Sequence, residues 1–114
     1  MVKKKACIFI SGSGTNLRSI IKSTRDYNFP INVTLILSNK KTAKGITYAK
    51  KYSIPYQVIT NNKKFEHFAF RIIREKKIEI ICLAGFMKVL SKDFVRKYKG
   101  KIINIHPSLL PKFK

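Results

Sequence analysis

The sequence is short of acidic residues: five aspartates and glutamates stand against 25 lysines and arginines, which gives a net charge of +20. A basic surface releases counterions when it meets phosphate, so this imbalance invites a nucleic-acid interpretation. The basic residues are, however, scattered along the chain, and 20 of the 25 are lysine, the poorer reader of base edges. The sequence is also rich in isoleucine and asparagine, a bias compatible with an AT-rich genome, which would supply lysine for reasons unrelated to binding. We expect weak general attraction to polyanions and no specific nucleic-acid partner.

Cysteines and long apolar runs are equally scarce. Cys7 and Cys82 lie inside apolar runs of strand length and at no metal-binding spacing, so we expect reduced core thiols and no metal site. No apolar stretch approaches the roughly 20 residues that span a bilayer. The run 6–10 after the initial lysines is too short for a signal peptide. These absences predict a cytoplasmic protein that does not enter a membrane.

What is present is a regular alternation of two apolar patterns without repeats or linkers, in a chain of 114 residues that suffices for one core. Short apolar runs predict strands, and stripes at i, i+3 and i+4 predict helices between them. The predicted strands are 6–10, 31–37, 56–59, 78–84 and 101–105, and the predicted helices are 16–26, 42–52, 65–73 and 91–98. This order predicts an α/β fold, a doubly wound, Rossmann-like parallel sheet with helices on both faces.

Three finer predictions concern single strands and helices. Alternation within 31–37 places Val33, Leu35 and Leu37 on one face of the sheet and Ile36 on the other. Gly100 is expected to end the fourth helix. The last strand, 101–105, is apolar enough to need cover on both faces, which nothing after it supplies, so we expect residues 1–114 to form one incomplete domain.

The segment 11–16, Ser-Gly-Ser-Gly-Thr-Asn, lies between the first strand and the first helix. Glycines there let backbone N–H groups approach an anion at a helix N-terminus, which favours a single phosphate, as in a mononucleotide. A tight turn capped by Thr15 or Asn16 is the alternative. A dinucleotide is poorly supported, because the third glycine of its fingerprint would fall on Leu17.

The segment 85–90, Gly-Phe-Met-Lys-Val-Leu, follows the fourth predicted strand and is apolar for a loop. At the carboxyl end of a parallel sheet it could form one wall of a pocket for a flat heteroaromatic ligand. An apolar plug on the top edge of the sheet fits the same pattern. The residue types alone do not separate these two interpretations.

Asn104 lies in the last predicted strand and His106 comes directly after it. Because side chains alternate along an extended chain, the two point to the same side. An amide can donate to an oxyanion as a carbonyl becomes tetrahedral, and an imidazole can move a proton near neutral pH. His67 lies beside Glu66 on the polar side of its helix and is interpreted as solvated. No Ser/His/Asp or Cys/His set is visible, and none of the five acids is identifiable as the partner of His106.

Residues 10–17, 83–90 and 104–111 together resemble the three N-terminal signatures of one family, the folate-dependent phosphoribosylglycinamide formyltransferases of purine biosynthesis. These enzymes are also called glycinamide ribonucleotide transformylases. The third signature alone is shared with methionyl-tRNA formyltransferase and formyltetrahydrofolate deformylase. The first signature, Ser-Gly-x-Gly-Thr-Asn-Leu in this sequence, distinguishes the ribonucleotide enzyme. The resemblance covers essentially all 114 residues.

This resemblance implies the formyltransferase fold and transfer of a formyl group from the co-substrate 10-formyltetrahydrofolate to the amine of 5-phosphoribosylglycinamide, without a metal. Asn104 would stabilise the formyl oxyanion and His106 would be the general acid. The implied site residues are Gly14, Thr15 and Asn16 for the ribonucleotide phosphate, Met87, Lys88, Val89, Leu90 and Asn104 for the folate, and Asn104 and His106 for catalysis.

The sequence departs from the family pattern in two respects. The family has a folate-contacting arginine ahead of the third helix, where Lys63 is the candidate substitute here, although lysine cannot repeat a bidentate contact. Family members also continue past this point, and the aspartate that raises the pKa of the histidine lies in that continuation. We therefore hypothesise a chain that is inactive alone and that self-associates or needs a complementing C-terminal polypeptide. A non-catalytic phosphate-binding or interaction module is the alternative.

Overall fold

The computed structural model describes residues 3–12, 15–26, 30–41 and 44–105. Strands and helices alternate along the described chain, as the apolar pattern predicts. The strands are β1 (Lys4–Ile10), β2 (Ile31–Ser38), β3 (Tyr56–Val58), β4 (Ile80–Ala84) and β5 (Lys101–Asn104). The helices are α1 (Thr15–Asp26), α2 (Gly45–Lys51), α3 (Phe65–Glu75) and α4 (Lys92–Lys97). None of these helices is long and apolar enough to cross a membrane.

The strands form one sheet in the order β3-β2-β1-β4-β5, with every described pair parallel. The chain moves outward from β1 to β3 on one side and then crosses to β4 and β5 on the other. The strand order therefore reverses between β1 and β4, and ligands of open α/β sheets bind beyond the carboxyl ends of the strands at such a point. The predicted α/β parallel fold is confirmed.

Apolar side chains fill both faces of this sheet. On one face Phe9, Leu35 and Leu37 pack against Phe65 and Ile73 of α3. The opposite cluster is formed by Ile8, Ile10, Leu17, Ile21, Ile36, Ala49 and their neighbours, so α1 and α2 cover that face. The sheet is thus covered on both faces in its centre, as the continuous apolar runs of β1 and β2 require. Cys7 and Cys82 are free and buried, as predicted.

The predicted facing of β2 is wrong at Val33. The pairing of β1 with β2 shifts by one residue between Ala6 and Cys7, so that Val33 pairs with Ala6 and Leu35 with Cys7. Thr34 is the extra residue of this bulge. Because one additional residue reverses the alternation, Val33 packs with Ile36 on the α1 and α2 face, whereas Leu35 and Leu37 remain on the other.

Two predictions near the C-terminus also need correction. Helix α4 ends at Lys97 and not at Gly100; a Cβ atom at Gly100 would collide with the backbone oxygen of Glu79, so the glycine permits close approach of two chain segments. Strand β5 is less buried than its composition predicts, because β4 is its one neighbour among the described strands and Ile103 is 37% exposed.

Helix α2 begins at Gly45, and residues 42–43 of its predicted range lie outside the described residues.

Candidate functional site

Two of the three sequence motifs begin side by side at the carboxyl edge of the sheet. Ile10, the last residue of β1, pairs with Ala84, the last residue of β4. The next residues in each chain segment, Ser11 and Gly85, therefore leave the sheet from adjacent strands. Their position matches the point where the strand order reverses, which is the expected location of a ligand site in this fold.

A side-chain hydrogen bond joins these two segments. The Ser11 hydroxyl oxygen accepts a hydrogen bond from the backbone N–H of Met87 at 2.8 Å. Ser11 is 1% exposed, so this contact lies below the surface of the edge. The sequence interpretation assigns Ser11 no role of its own; the available signal is a hydroxyl residue placed directly after a strand whose last five residues are buried.

The segment 85–90 contains both core-anchored and exposed apolar residues. Gly85 has a φ of 64°, a left-handed conformation that suits glycine, and it turns the chain out of β4. Phe86 and Leu90 then pack against the core cluster. Between them, Met87 and Val89 are 75% and 90% exposed. The segment is therefore anchored as an apolar plug at two residues and exposes apolar side chains at two others.

An aromatic cluster holds the anchored part of this segment. The ring of Phe86 lies 5.3 Å from that of Phe9 and 5.2 Å from that of Phe65, measured between centroids. Phe9 and Phe65 in turn meet edge to face at 5.6 Å. Such contacts add about 0.5 to 1.5 kcal/mol per pair beyond burial. Phe86 is thus fixed jointly by β1 and by the first turn of α3.

The far end of the segment is held by a carboxylate. Glu66 of α3 accepts hydrogen bonds from the backbone N–H of Ser91 at 2.6 Å and from its hydroxyl at 2.7 Å. The Ser91 hydroxyl oxygen also accepts from the N–H of Phe94 at 3.1 Å and so caps α4. The chain from Gly85 to α4 is therefore fixed at both ends.

Of the residues in the third motif, the structure describes Asn104 and Ile105. Asn104 ends β5 opposite Leu83 of β4, and it is exposed. It thus lies on the same carboxyl edge as the segment 85–90, two residue positions before Gly85 in the register of β4. His106 and Gly14 lie outside the described residues. Thr15 and Asn16 form the start of α1, and their side chains lie outside the described part.

Two other polar residues that the sequence singled out lie in the turn before α3 and on α3 itself. Lys63 precedes α3 in a turn in which its backbone N–H donates to the Asn61 side chain at 3.1 Å, and its own side chain is exposed. His67 is exposed on α3, as predicted, with its ring 5.4 Å from that of Phe68. The prediction that Lys63 contacts folate stays a prediction.

The buried thiols are not poised for nucleophilic chemistry. Burial raises the pKa of Cys82 to about 11, and burial, followed by the proximity of Cys82, raises the pKa of Cys7. A neutral, buried thiol is a poor nucleophile.

A cavity of about 510 Å³ between α3 and α4 lies at the amino edge of the sheet, beside Ile78 and Gly100, and so on the opposite side from the motifs.

Comparison with known proteins gives the class of the chain. The family model described as formyl transferase matches residues 4–114. The match extends over nearly the whole sequence, including all three motifs. The chain therefore belongs to the formyl transferase family.

Individual relatives narrow this class. The phosphoribosylglycinamide formyltransferase of Haemophilus influenzae is 38% identical over 115 residues, which are 96% of this chain and 54% of that protein. The human trifunctional purine biosynthetic protein adenosine-3 is 44% identical over 119 residues, covering 98% of this chain and 12% of that protein. The crystal structure of glycinamide ribonucleotide transformylase 1 from Geobacillus kaustophilus matches with a TM-score of 0.83 at 35% identity, covering 98% of this chain and 62% of that chain.

These matches confirm the resemblance predicted from the three motifs, to the N-terminal portion of the phosphoribosylglycinamide formyltransferases. They also confirm the formyltransferase fold. The chain spans slightly more than half the length of the H. influenzae relative and about a tenth of the human one.

Proposed function

We propose that this chain carries the phosphate loop, one folate wall and the oxyanion donor of a site that transfers a formyl group from 10-formyltetrahydrofolate to the amine of 5-phosphoribosylglycinamide, in the cytoplasm. The observation that supports this most is the convergence of the motifs on one carboxyl edge, where Ile10 pairs with Ala84 and Asn104 pairs with Leu83. The H. influenzae relative is by name a phosphoribosylglycinamide formyltransferase, which agrees with this substrate.

The described residues fit an aromatic co-substrate on one side. Met87 and Val89 are exposed apolar side chains beside a segment whose backbone is anchored in the core. A pterin is flat and carries hydrogen-bonding edges, so it can lie against such side chains while backbone groups of residues 87–90 satisfy its polar atoms. In this proposal Met87, Lys88, Val89 and Leu90 form the folate wall.

At the other side of the proposed site, Gly14, Thr15 and Asn16 bind the phosphate of the ribonucleotide. The start of α1 at Thr15 supplies the unpaired N–H groups and partial positive charge that favour an anion. Binding the phosphate there fixes the distal end of the substrate, so that its amine can be oriented toward the formyl carbon.

The proposed reaction is acyl transfer. The amine nitrogen attacks the formyl carbon and forms a C–N bond, and the carbonyl oxygen gains negative charge to which the Asn104 amide donates. The bond from the formyl carbon to folate nitrogen then breaks. His106 transfers the proton lost by the amine to that departing nitrogen. The products are the formylated amine, which is now a formamide, and tetrahydrofolate.

Formyl transfer by the 114-residue chain tests this proposal, with His106→Ala compared against His67→Ala. His67 is an exposed histidine on α3 and belongs to none of the three motifs, so its replacement controls for loss of an imidazole. Where turnover is measured, with the chain alone or after addition of a C-terminal polypeptide from a relative, we expect His106→Ala to lower kcat by ~10²-fold or more and His67→Ala to leave it unchanged. Equal effects of the two substitutions would contradict the role of His106.

Binding measurements separate this function from the alternatives. If the folded chain shows no turnover but binds phosphoribosylglycinamide, and binding is lost in Asn16→Ala and kept in His106→Ala, the chain is a phosphate-binding module. Turnover that appears only after addition of a C-terminal polypeptide from a relative identifies the chain as one part of a divided active site. Affinity that falls steeply with salt and ignores Asn16→Ala indicates a general polyanion binder.

A further inference from the structure

Ser11 lies where the two proposed substrate loops leave the sheet. It follows β1 directly, precedes the glycines of the phosphate loop, and accepts a hydrogen bond from the Met87 N–H at 2.8 Å. This one contact joins two residues that are 76 positions apart in the sequence. We propose that Ser11 is a positioning residue, which holds the folate wall in place and couples folate binding to ribonucleotide binding. This inference rests on the proposed function.

The folate wall needs such a contact because side-chain burial fixes its ends but not its exposed middle. Phe86 and Leu90 anchor the ends of the segment in the core. Met87 and Val89, in contrast, are 75% and 90% exposed, so their side chains gain little from burial. No regular secondary structure is assigned to residues 85–90. The hydrogen bond to Ser11 therefore fixes the backbone at the start of its exposed portion.

Coupling follows from the position of Ser11 in the chain. Its backbone continues into Gly12, where an added Cβ atom would meet no other atom within 4 Å, and so into the phosphate loop. A phosphate bound to this loop also restrains Ser11, and a restrained Ser11 restrains Met87 through the hydrogen bond. A ligand on either loop then favours the arrangement that the other ligand needs, and this coupling must be reciprocal between the two ligands.

Ser38 provides a matched control at the same edge. It ends β2 opposite Ile10 and is fully buried, as Ser11 nearly is. Its hydroxyl bonds only locally among the described residues, accepting from the Lys40 N–H at 3.0 Å and donating to the Lys40 carbonyl at 2.7 Å. Replacement of either serine by alanine removes one buried hydroxyl from the carboxyl edge, but only Ser11→Ala disconnects the segment 85–90.

The first test measures the position of the segment without any ligand. Amide hydrogen exchange of the full chain is compared for wild type, Ser11→Ala and Ser38→Ala. We expect Ser11→Ala to accelerate exchange at Met87 and Lys88 about tenfold or more, since the Met87 N–H loses its acceptor, and Ser38→Ala to leave these amides unchanged. Unchanged exchange at Met87 in Ser11→Ala would overturn the positioning role. This result stands whether or not the chain transfers formyl groups.

The second test measures the coupling. The affinity for phosphoribosylglycinamide is determined with and without a saturating, non-reactive analogue of 10-formyltetrahydrofolate. We expect the analogue to tighten ribonucleotide binding about fivefold in wild type and Ser38→Ala, and to have no effect in Ser11→Ala. Ser11→Thr, which retains the hydroxyl, should recover part of the coupling. Wild-type binding of both ligands without mutual influence would overturn the coupling, whereas failure to bind either ligand would contradict the proposed function itself.

Discussion

Gly85 shows how one residue sets the direction of the segment 85–90. Its φ of 64° lies in the left-handed region, which costs an L-residue roughly 1 to 2 kcal/mol. A methyl group added to the Cα atom of Gly85 would meet no other atom within 4 Å, so this cost is conformational and not steric. The turn out of β4 therefore depends on the absence of a Cβ atom rather than on available space.

We expect Gly85→Ala to lower the free energy of unfolding by about 1 to 2 kcal/mol. Gly12→Ala is the control, because Gly12 also has open space around its Cα and is not among the glycines with positive φ. That substitution should change stability by less than about 0.5 kcal/mol. Urea unfolding of both variants provides the comparison, and equal effects would contradict a conformational role for Gly85.

The buried thiol of Cys82 makes stability depend on alkaline pH. Burial raises its pKa from 9.0 to about 11, so the unfolded chain loses this proton before the folded chain does. The folded state then binds more protons between about pH 9 and pH 11, and stability must fall as pH rises through this window. The loss from a shift of this size is on the order of 2 kcal/mol.

Cys82→Ala should therefore flatten the decline in unfolding free energy between pH 9 and pH 11. Ile81→Val, a neighbouring core substitution without a titrating group, should lower stability at every pH and keep the wild-type slope. Urea titrations at several pH values measure both slopes. If Cys82→Ala declines as steeply as wild type, the shifted thiol is not the cause.

At the scale of elements, Glu66 connects two helices through a single residue. Its carboxylate accepts from the Ser91 N–H and hydroxyl, and the same hydroxyl caps α4. Helix α4 has only six residues, which is too short to be stable without such contacts. The end of the segment 85–90 and the start of α4 are thus stabilised together by α3.

Glu66→Ala is expected to lower the free energy of unfolding by about 1 kcal/mol, because two hydrogen bonds to a charged group are lost at a partly exposed site. Glu75→Ala, in the same helix, removes an exposed ion pair with Arg71 at 3.5 Å and should cost less than about 0.5 kcal/mol. Thermal and urea unfolding can rank the two. A larger effect at Glu75 would show that the contact with Ser91 contributes little.

The elements that could be predicted from the sequence are those whose burial leaves a local apolar pattern. The runs of β1 and β4 and the stripe of α3 are local signals of a buried strand or helix face, and each was placed within a few residues. The bulge at Thr34 and the close approach at Gly100 depend on how distant segments meet, so no local pattern announces them. For the same reason the motifs identified the carboxyl edge, whereas the contact from Ser11 to Met87 required the folded sheet.

At the scale of the whole molecule, the net charge opposes self-association, whereas the exposed edge of the sheet favours it. Strand β5 has one hydrogen-bonded neighbour among the described strands and exposes Ile103, features that favour pairing with another chain. The net charge of +20 opposes any approach of two copies. The salt concentration determines whether repulsion or edge pairing dominates, because the electrostatic screening length falls from about 10 Å at 0.1 M to about 3 Å at 1 M.

We therefore expect self-association to increase between about 0.1 M and 1 M salt, as repulsion is screened and the exposed edge becomes accessible to a second copy. Ile103→Lys should reduce this association, since a lysine on an edge strand both adds charge and interrupts an apolar contact. Val95→Lys is the control, because Val95 is 50% exposed on α4 and adds the same charge away from the edge. Sedimentation velocity over a range of protein concentrations measures all three chains. Equal suppression by both lysines would attribute association to net charge, and only a selective effect of Ile103→Lys would identify β5 as the contact.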